Sequence, residues 1–413
     1  MKIVFASKFY YRRGGLEAYL FKAKNLLEER GHKVIIFSTT YHENVQSEFS
    51  KYFCKYYDLS KSGASDNTLV DKAKAVINMY FNYEAYKNME KLIRDTNPDI
   101  VQGFGVTRHL SYSIFQAAGH MNVPAVMRLS DYALLCPNTT AMDGAGEICS
   151  DFACSRHNLS KILRRKCIQD SIPATLIGKL EFMFNTLMDT YKRHVDCFIA
   201  PSRFLQQTFI THYNLMPEKI VYLPIFLNCT DIRRSDEDEG YFLYAGRMSR
   251  EKGVMTLLRA VNKGSGASLI LAGSGPEEEE YKEYANKHNL KARFVGFQDF
   301  QNLQDLIKKC RAVIVPSEWY ENSPNIILEA YAYGKPVIGS SEGGIPELVF
   351  ENETGLTFQA GSADELNEKI EYLKAHPDGA QAMGKKARDF LEKELNPDKH
   401  YQRLMEIYKI VKN

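Results

Sequence analysis

Ala312-Val313-Ile314-Val315 runs into Pro316-Ser317-Glu318-Trp319-Tyr320-Glu321-Asn322-Ser323-Pro324, and then into Asn325-Ile326-Ile327-Leu328-Glu329. A short apolar run, a Pro-Ser break, a polar loop and a resumed apolar pattern read as strand, loop and helix. In a parallel sheet this order brings a loop and a helix N-terminus to the carboxyl edge, where α/β folds bind ligands. Glu321 falls in the loop and Glu329 about two turns into the helix, on its Glu321-facing side. Seven residues separate them. Two carboxylates framing such a junction make it a candidate binding wall.

The same alternation extends in both directions. Strands are expected at Tyr241 to Ala245, Ser268 to Ala272, Ala292 to Val295 and Pro336 to Gly339, with helices between and three helical segments from Ala363 onward. In the first half, strands are expected at Lys2 to Ala6, Lys33 to Phe37, Asp99 to Gln102, Pro124 to Met127, Cys197 to Ala200 and Lys219 to Leu223. A helix follows the first strand from Leu16 to Arg30, and one long amphipathic helix is expected from Asp71 to Asp95, its aromatic residues belonging to the core or a cleft wall. Strands separated by helix-length segments imply parallel sheets. The expected fold is α/β, two doubly wound domains facing each other across a cleft.

The length fits that reading, since 413 residues exceed what one core usually fills. No apolar run reaches the length of a membrane span, and Met1-Lys2-Ile3-Val4-Phe5-Ala6 enters a strand directly, so neither a signal peptide nor an anchor is expected. Through Asn228 there are 28 Lys and Arg against 21 Asp and Glu, a net of +7, and the remainder has 25 against 30, a net of −5. A basic first half suits an anionic partner, either lipid or a phosphate-bearing acceptor, or else the asymmetry is incidental. No motif supports nucleic acid. Cys229 to Gly240 is the linker candidate, and its Asp236-Glu237-Asp238 reads as solvated linker rather than a metal site.

Tyr244-Ala245-Gly246-Arg247-Met248-Ser249-Arg250-Glu251-Lys252-Gly253 also follows a strand and opens a helix. Gly246 permits a tight turn, Arg247 offers a planar fork for phosphate oxygens and Lys252 a point charge. Such cations suit a diphosphate whose charge grows as a sugar leaves; taken alone they are equally two solvated surface residues. Gly273-Ser274-Gly275-Pro276 is not a dinucleotide fingerprint, because Glu278 takes the third glycine position. Gly343-Gly344 sits in a loop that allows close backbone approach to phosphate.

Together these segments resemble glycosyltransferase family 4, retaining transferases of the GT-B fold with two Rossmann-like domains. The resemblance runs the length of the chain: Gly14-Gly15-Leu16-Glu17, Gly246-Arg247 with Lys252-Gly253, Gly273-x-Gly275-Pro276, Phe294-Val295-Gly296-Phe297, Pro316-Ser317, Glu321 with Glu329, Gly334-Lys335-Pro336-Val337, Gly343-Gly344 and Gly355-Leu356. It implies an acceptor domain over 1–228 with a cysteine-containing insertion at about 132–170, a linker at 229–240, a donor domain over 241–395 and a helix over 396–413 crossing back to the first domain. It implies Glu321 beside the donor sugar and Glu329 on the ribose hydroxyls. Arg247 and Lys252 would hold the diphosphate, with the amides of Asn325, Ile326 and Ile327. Gly15, beside Gly14, would close on the phosphate, and Phe297 would lie near the base. The resemblance further implies a nucleotide-diphosphate sugar as donor with no cofactor or metal required. It also implies a glycan or lipid-linked acceptor, a cytoplasmic location or the inner face of a membrane, and a surface polysaccharide or glycolipid as product.

One position departs from the family. Val126-Met127-Arg128-Leu129-Ser130-Asp131-Tyr132 carries Ser130 where the family often has a histidine, followed by Asp131. Either Ser130 or Arg128 makes a substitute contact to a different donor sugar, or the protein is a catalytically impaired, nucleotide-sugar-binding partner subunit. Ser130→Ala is expected to lower turnover and leave nucleotide affinity unchanged; equal turnover would remove that role. A related-fold sugar-nucleotide epimerase is argued against by Glu321 and Glu329, and a phosphorylase lacks its cofactor-lysine pattern. Cys136, Cys149, Cys154 and Cys167 form a C-x12-C-x4-C-x12-C run. They are read as ligands of a structural zinc, as free thiols or as occasional disulfides. Lys161-Ile162-Leu163-Arg164-Arg165-Lys166 then leads into an apolar helical stretch that rests either on an anionic membrane or on its own domain.

Overall fold

The computed structural model describes residues 1–58, 68–149, 152, 154 and 164–412. The chain divides into two compact units. One comprises Met1–Pro201, Gln206–Leu223 and Tyr401–Asn413, and the other Ser202–Leu205 and Pro224–His400.

The first unit holds a six-stranded parallel sheet of β1 (Lys2–Ser7), β2 (Lys33–Phe37), β3 (Ile100–Phe104), β4 (Ala125–Arg128), β5 (Cys197–Ala200) and β6 (Ile220–Tyr222), in the order β2-β1-β3-β4-β5-β6. Every residue of β1 but Lys2 is buried, as are all of β3, β4 and β5. That is the near-continuous apolar reading of strands covered on both faces. The helices in chain order are α1 (Gly15–Glu29), α2 (Leu69–Tyr80), α3 (Tyr83–Thr96), α4 (Ser113–His120), α5 (Ile172–Leu187), α6 (Thr190–His194) and α7 (Arg203–His212).

The single long helix expected from Asp71 to Asp95 is two. It breaks at Phe81-Asn82, where the buried Asn82 caps α3 by accepting from the Ala85 amide at 2.9 Å. The Asn82 side chain also donates to the His109 carbonyl at 2.7 Å, and its own amide to Ser111 Oγ at 3.1 Å. Asparagine is among the strongest N-caps, so these bonds outweigh the continuing periodicity. Of the residues expected in the core or cleft wall there, Met79 is buried, Tyr80, Phe81 and Tyr86 are half-buried and Tyr83 is exposed.

The second unit holds a parallel sheet of β7 (Tyr241–Ala245), β8 (Ser268–Ala272), β9 (Ala292–Gly296), β10 (Ala312–Val315), β11 (Val337–Ser340) and β12 (Gly355–Phe358), in the order β9-β8-β7-β10-β11-β12. β12 was not among the expected strands. The helices are α8 (Val254–Asn262), α9 (Glu278–Lys287), α10 (Phe300–Lys309), α11 (Asn325–Ala332), α12 (Ala363–Ala375), α13 (Pro377–Glu394) and α14 (Pro397–Lys412). Residues of α14 from Tyr401 belong to the first unit, where Leu404, Ile407 and Tyr408 are buried and Tyr408 donates to Gln102.

Sheet order positions the site. β7 pairs with β8 over five residues but with β10 over only two, Phe242 with Ala312 and Leu243 with Val313. The strand order reverses between β7 and β10, and their carboxyl ends part beyond those two pairs. A topological switch point with diverging strands is where an open α/β sheet offers a crevice. The acidic segment at 236–238 is docked rather than free: Arg311 pairs with Asp238 at 2.7 Å, Arg234 with Asp236 at 3.2 Å, and Lys335 donates to the Glu237 carbonyl. In the first unit, α5 buries Phe182 and exposes Ile172, Leu176, Leu180 and Leu187. Lys161 to Leu163 of the basic run lie outside the described residues. No helix among the described residues is long and apolar enough to cross a membrane.

Candidate active site

β7 and β10 each hand a loop to the crevice, and the two loops are laced together. Arg250–Lys252 form one 3₁₀ turn whose Glu251 carbonyl accepts from the amides of Glu318 and Trp319, at 3.0 and 3.2 Å, and from Ser317 Oγ at 3.2 Å. Thr256 Oγ1 adds a 2.5 Å bond to Glu318. This lacing sets Lys252 against Glu321: the two form an ion pair, Ser317 Oγ donates to the same carboxylate oxygen at 3.2 Å, and the ammonium lies 5.1 Å from the Trp319 ring centre. The carboxylate is therefore oriented by a cation and a hydroxyl before any ligand arrives.

The loops come this close only because glycines stand where they meet. Gly343 has φ +62, and a Cβ there would lie 2.4 Å from the Glu321 carbonyl oxygen. Gly344 N donates to that carbonyl at 2.6 Å. The glycine-containing β11 loop thus braces the Glu321 loop from behind, a structural role beside the close approach to phosphate that its sequence allowed.

Arg247 is exposed on the turn after β7, next to the exposed Gly246. The α11 amides divide: that of Ile327 is spent on the Pro324 carbonyl at 3.2 Å, whereas those of Asn325 and Ile326 have no acceptor among the described residues. Ile327 is thereby corrected, and two amides rather than three are open to an anion at this helix N-terminus. Glu329, one turn on, lines a shallow apolar depression with Phe300, Leu303, Ile307 and Tyr333. Phe297 and Phe300 at the β9–α10 turn are 82% and 68% exposed. Two large aromatic side chains left in water, Phe300 lining the same depression as Glu329, are unusual in a well-packed domain and suit a ligand with a flat ring. The resemblance pointed to Phe297; Phe300 was missed, and its place opening α10 three residues later is the signal that could have found it.

In the first unit, Gly14 and Gly15 are exposed at the start of α1. Arg128 is 5% exposed; its guanidinium lies 3.8 Å from the Tyr19 ring centre and donates to the Leu223 carbonyl at 3.1 Å, contacts that tie it to the interior of the first unit. Ser130 sits near Gly105 on the edge after β4, and Asp131 accepts from the Ala133 amide at 2.9 Å while burial raises its carboxyl above the usual range. Among the described residues no group of three or more His, Cys, Asp or Glu side chains converges as a metal site. Cys136 and Cys154 share a thiol hydrogen bond that holds Cys136 down to about 7, while Arg165 donates to Cys149 Sγ at 3.4 Å. With no converging ligand group among the described residues, the zinc reading finds no support here.

Residues 230–390 match the model of glycosyl transferases group 1. The chain is 30% identical over 170 residues to the glycogen synthase of Mycobacterium tuberculosis, covering 40% of this chain and 41% of the relative. It spans about half the length of the curated relatives it matches. A glycosyltransferase from Rickettsia africae superposes with a TM-score of 0.67 at 18% identity, over 99% of this chain and 98% of the other. Anabaena HepE, solved in complex with UDP and glucose, superposes with a TM-score of 0.63 at 16% identity, over 99% of both chains. The fold is GT-B.

Proposed function

We propose that the protein is a retaining, metal-independent glycosyltransferase that moves a sugar from a nucleotide-diphosphate donor to a glycan or lipid-linked acceptor in surface polysaccharide or glycolipid synthesis. The observation that carries it is the Lys252–Glu321 pair, fixed at the switch point beside Arg247 and the open amides of Asn325 and Ile326. Glu329 accepts the paired ribose hydroxyls, for which an ionised carboxylate is suited, and the Phe297 and Phe300 faces take the base. The diphosphate bridges Arg247, Lys252 and the two amides. As the anomeric bond stretches, negative charge moves onto the leaving phosphate, and fixed cations and dipoles already aimed there lower the barrier without reorganising. Glu321 holds the sugar hydroxyls, and the acceptor attacks the face the nucleotide leaves, which retains configuration. UDP bound to HepE, and the activity in the name of the mycobacterial relative, support a nucleotide-sugar donor.

The test is release of nucleoside diphosphate from a panel of UDP-, GDP-, ADP- and dTDP-sugars, with and without EDTA. One donor is expected to be consumed, leaking slowly to water without acceptor, at a rate the chelator leaves unchanged. Loss of turnover with EDTA would overturn metal independence, and no consumption of any donor would favour a nucleotide-binding partner subunit.

A further inference from the structure

The first unit has a switch point of its own, between β1 and β3, where the strand order again reverses. β1 delivers Lys8 to its carboxyl edge, and the loop after β3 delivers Arg108 and His109. The side chains there form an aromatic floor ringed by cations. Phe9 lies 5.2 Å from Tyr56 and 4.8 Å from Tyr41 between ring centres, and Tyr56 stacks on His109 at 5.4 Å. Lys8 Nζ is 4.7 Å from the Phe9 ring and 5.5 Å from Tyr56, and the Arg13 guanidinium is 5.4 Å from Phe9.

Neither Lys8 nor Arg13 has an ion-pair or hydrogen-bond partner for its charge among the described residues. Arg108 is committed, 3.7 Å from Glu181 and donating to the Pro137 carbonyl, in a left-handed conformation of φ +67. Burial first, and Arg13 second, hold Lys8 down to about 8 against the weaker pull of Asp58 and Glu17. The Ser7 hydroxyl, one residue before Lys8, is buried and has no partner among the described residues. A half-buried cation beside a second cation is costly unless an anion joins them.

We propose that this edge is the acceptor site and that it takes a phosphate-bearing sugar, with the phosphate on Lys8 and Arg13 and the sugar ring against Tyr56 and Tyr41. The inference rests on the glycosyltransferase reading above. Aromatic faces accept the apolar side of a pyranose, and unpaired cations select the charged acceptor over a neutral glycan. The same chemistry serves a soluble sugar phosphate and a lipid-linked sugar diphosphate.

Calorimetric titration of the full chain with glucose 1-phosphate, methyl glucoside and a geranyl-diphosphate-linked N-acetylglucosamine tests it. The charged sugars are expected to bind at least tenfold more tightly than methyl glucoside. Lys8→Met should remove that advantage and Lys8→Arg keep most of it, while Arg247→Ala leaves it intact, which places the anion away from the donor cations. Tighter binding of the lipid-linked probe, lost in Lys8→Met, would identify the source as lipid-linked; equal affinity of the two would point to a soluble sugar phosphate. Equal affinity for charged and uncharged sugars, or an unchanged affinity in Lys8→Met, overturns the proposal. UDP binding measured on the same samples keeps that failure separate from failure of the donor reading.

Discussion

Lys252→Ala is expected to cut turnover about 100- to 1,000-fold, the loss seen when one preorganised charge-stabilising donor is removed, equivalent to about 2.7–4 kcal/mol of barrier. In the proposed mechanism Lys252 stands where charge develops, and it is the ion-pair partner of Glu321, so the variant would lose a cation and loosen a carboxylate together. Both groups of the pair retain some solvent contact, so the cost to stability should stay near 1 kcal/mol or less. Steady-state kinetics beside a denaturation curve separates the two effects. Turnover within threefold of wild type, in a variant of unchanged stability, would remove Lys252 from the charge-stabilising role.

The second large effect is structural. Gly253 has φ +69, and a Cβ there would lie 1.8 Å from the Pro316 carbonyl oxygen, which belongs to backbone and cannot swing aside. Gly253→Ala therefore combines left-handed strain, about 1–2 kcal/mol, with a displacement of the Glu321 loop, and should destabilise the protein by about 3 kcal/mol or more. Gly361→Ala is the control: φ is +77 there, but nothing lies within 4 Å of the added Cβ. It should cost the strain alone. Equal losses in the two variants, read by chemical denaturation, would show that the packing of the 253 turn on Pro316 contributes nothing.

Much of the second sheet was legible because buried parallel strands read as unbroken apolar runs, and Tyr241–Ala245, Ser268–Ala272 and Ala312–Val315 stand where those runs stand. Gly355–Phe358 was not, since four residues interrupted by Thr357 resemble any loop, and only pairing with Val337–Ser340 makes them a strand. The break at Asn82 was hidden for the opposite reason. The apolar spacing continues through it, and the bonds that end the helix come from His109 and Ser111, more than twenty residues away in sequence.

The candidate site shows the same division. Glu321, Lys252 and the glycines are spaced by local chain, and the structure brings them together. What Arg128 does depended on Tyr19 and Leu223, and whether the Ile327 amide is open depended on a turn at Pro324; neither is visible in a motif. The Lys8 cradle draws on three chain segments and was not anticipated beyond the basic charge of the first half.

The most direct test of the donor site is thermal denaturation against the UDP-, GDP-, ADP- and dTDP-sugar panel, for wild type and Glu329→Ala. At a hundred times its dissociation constant, one nucleotide should stabilise the wild-type protein by about 2.7 kcal/mol, and at that concentration stabilise Glu329→Ala much less. Stabilisation of both proteins to the same extent, or of neither by any nucleotide, would contradict the site described.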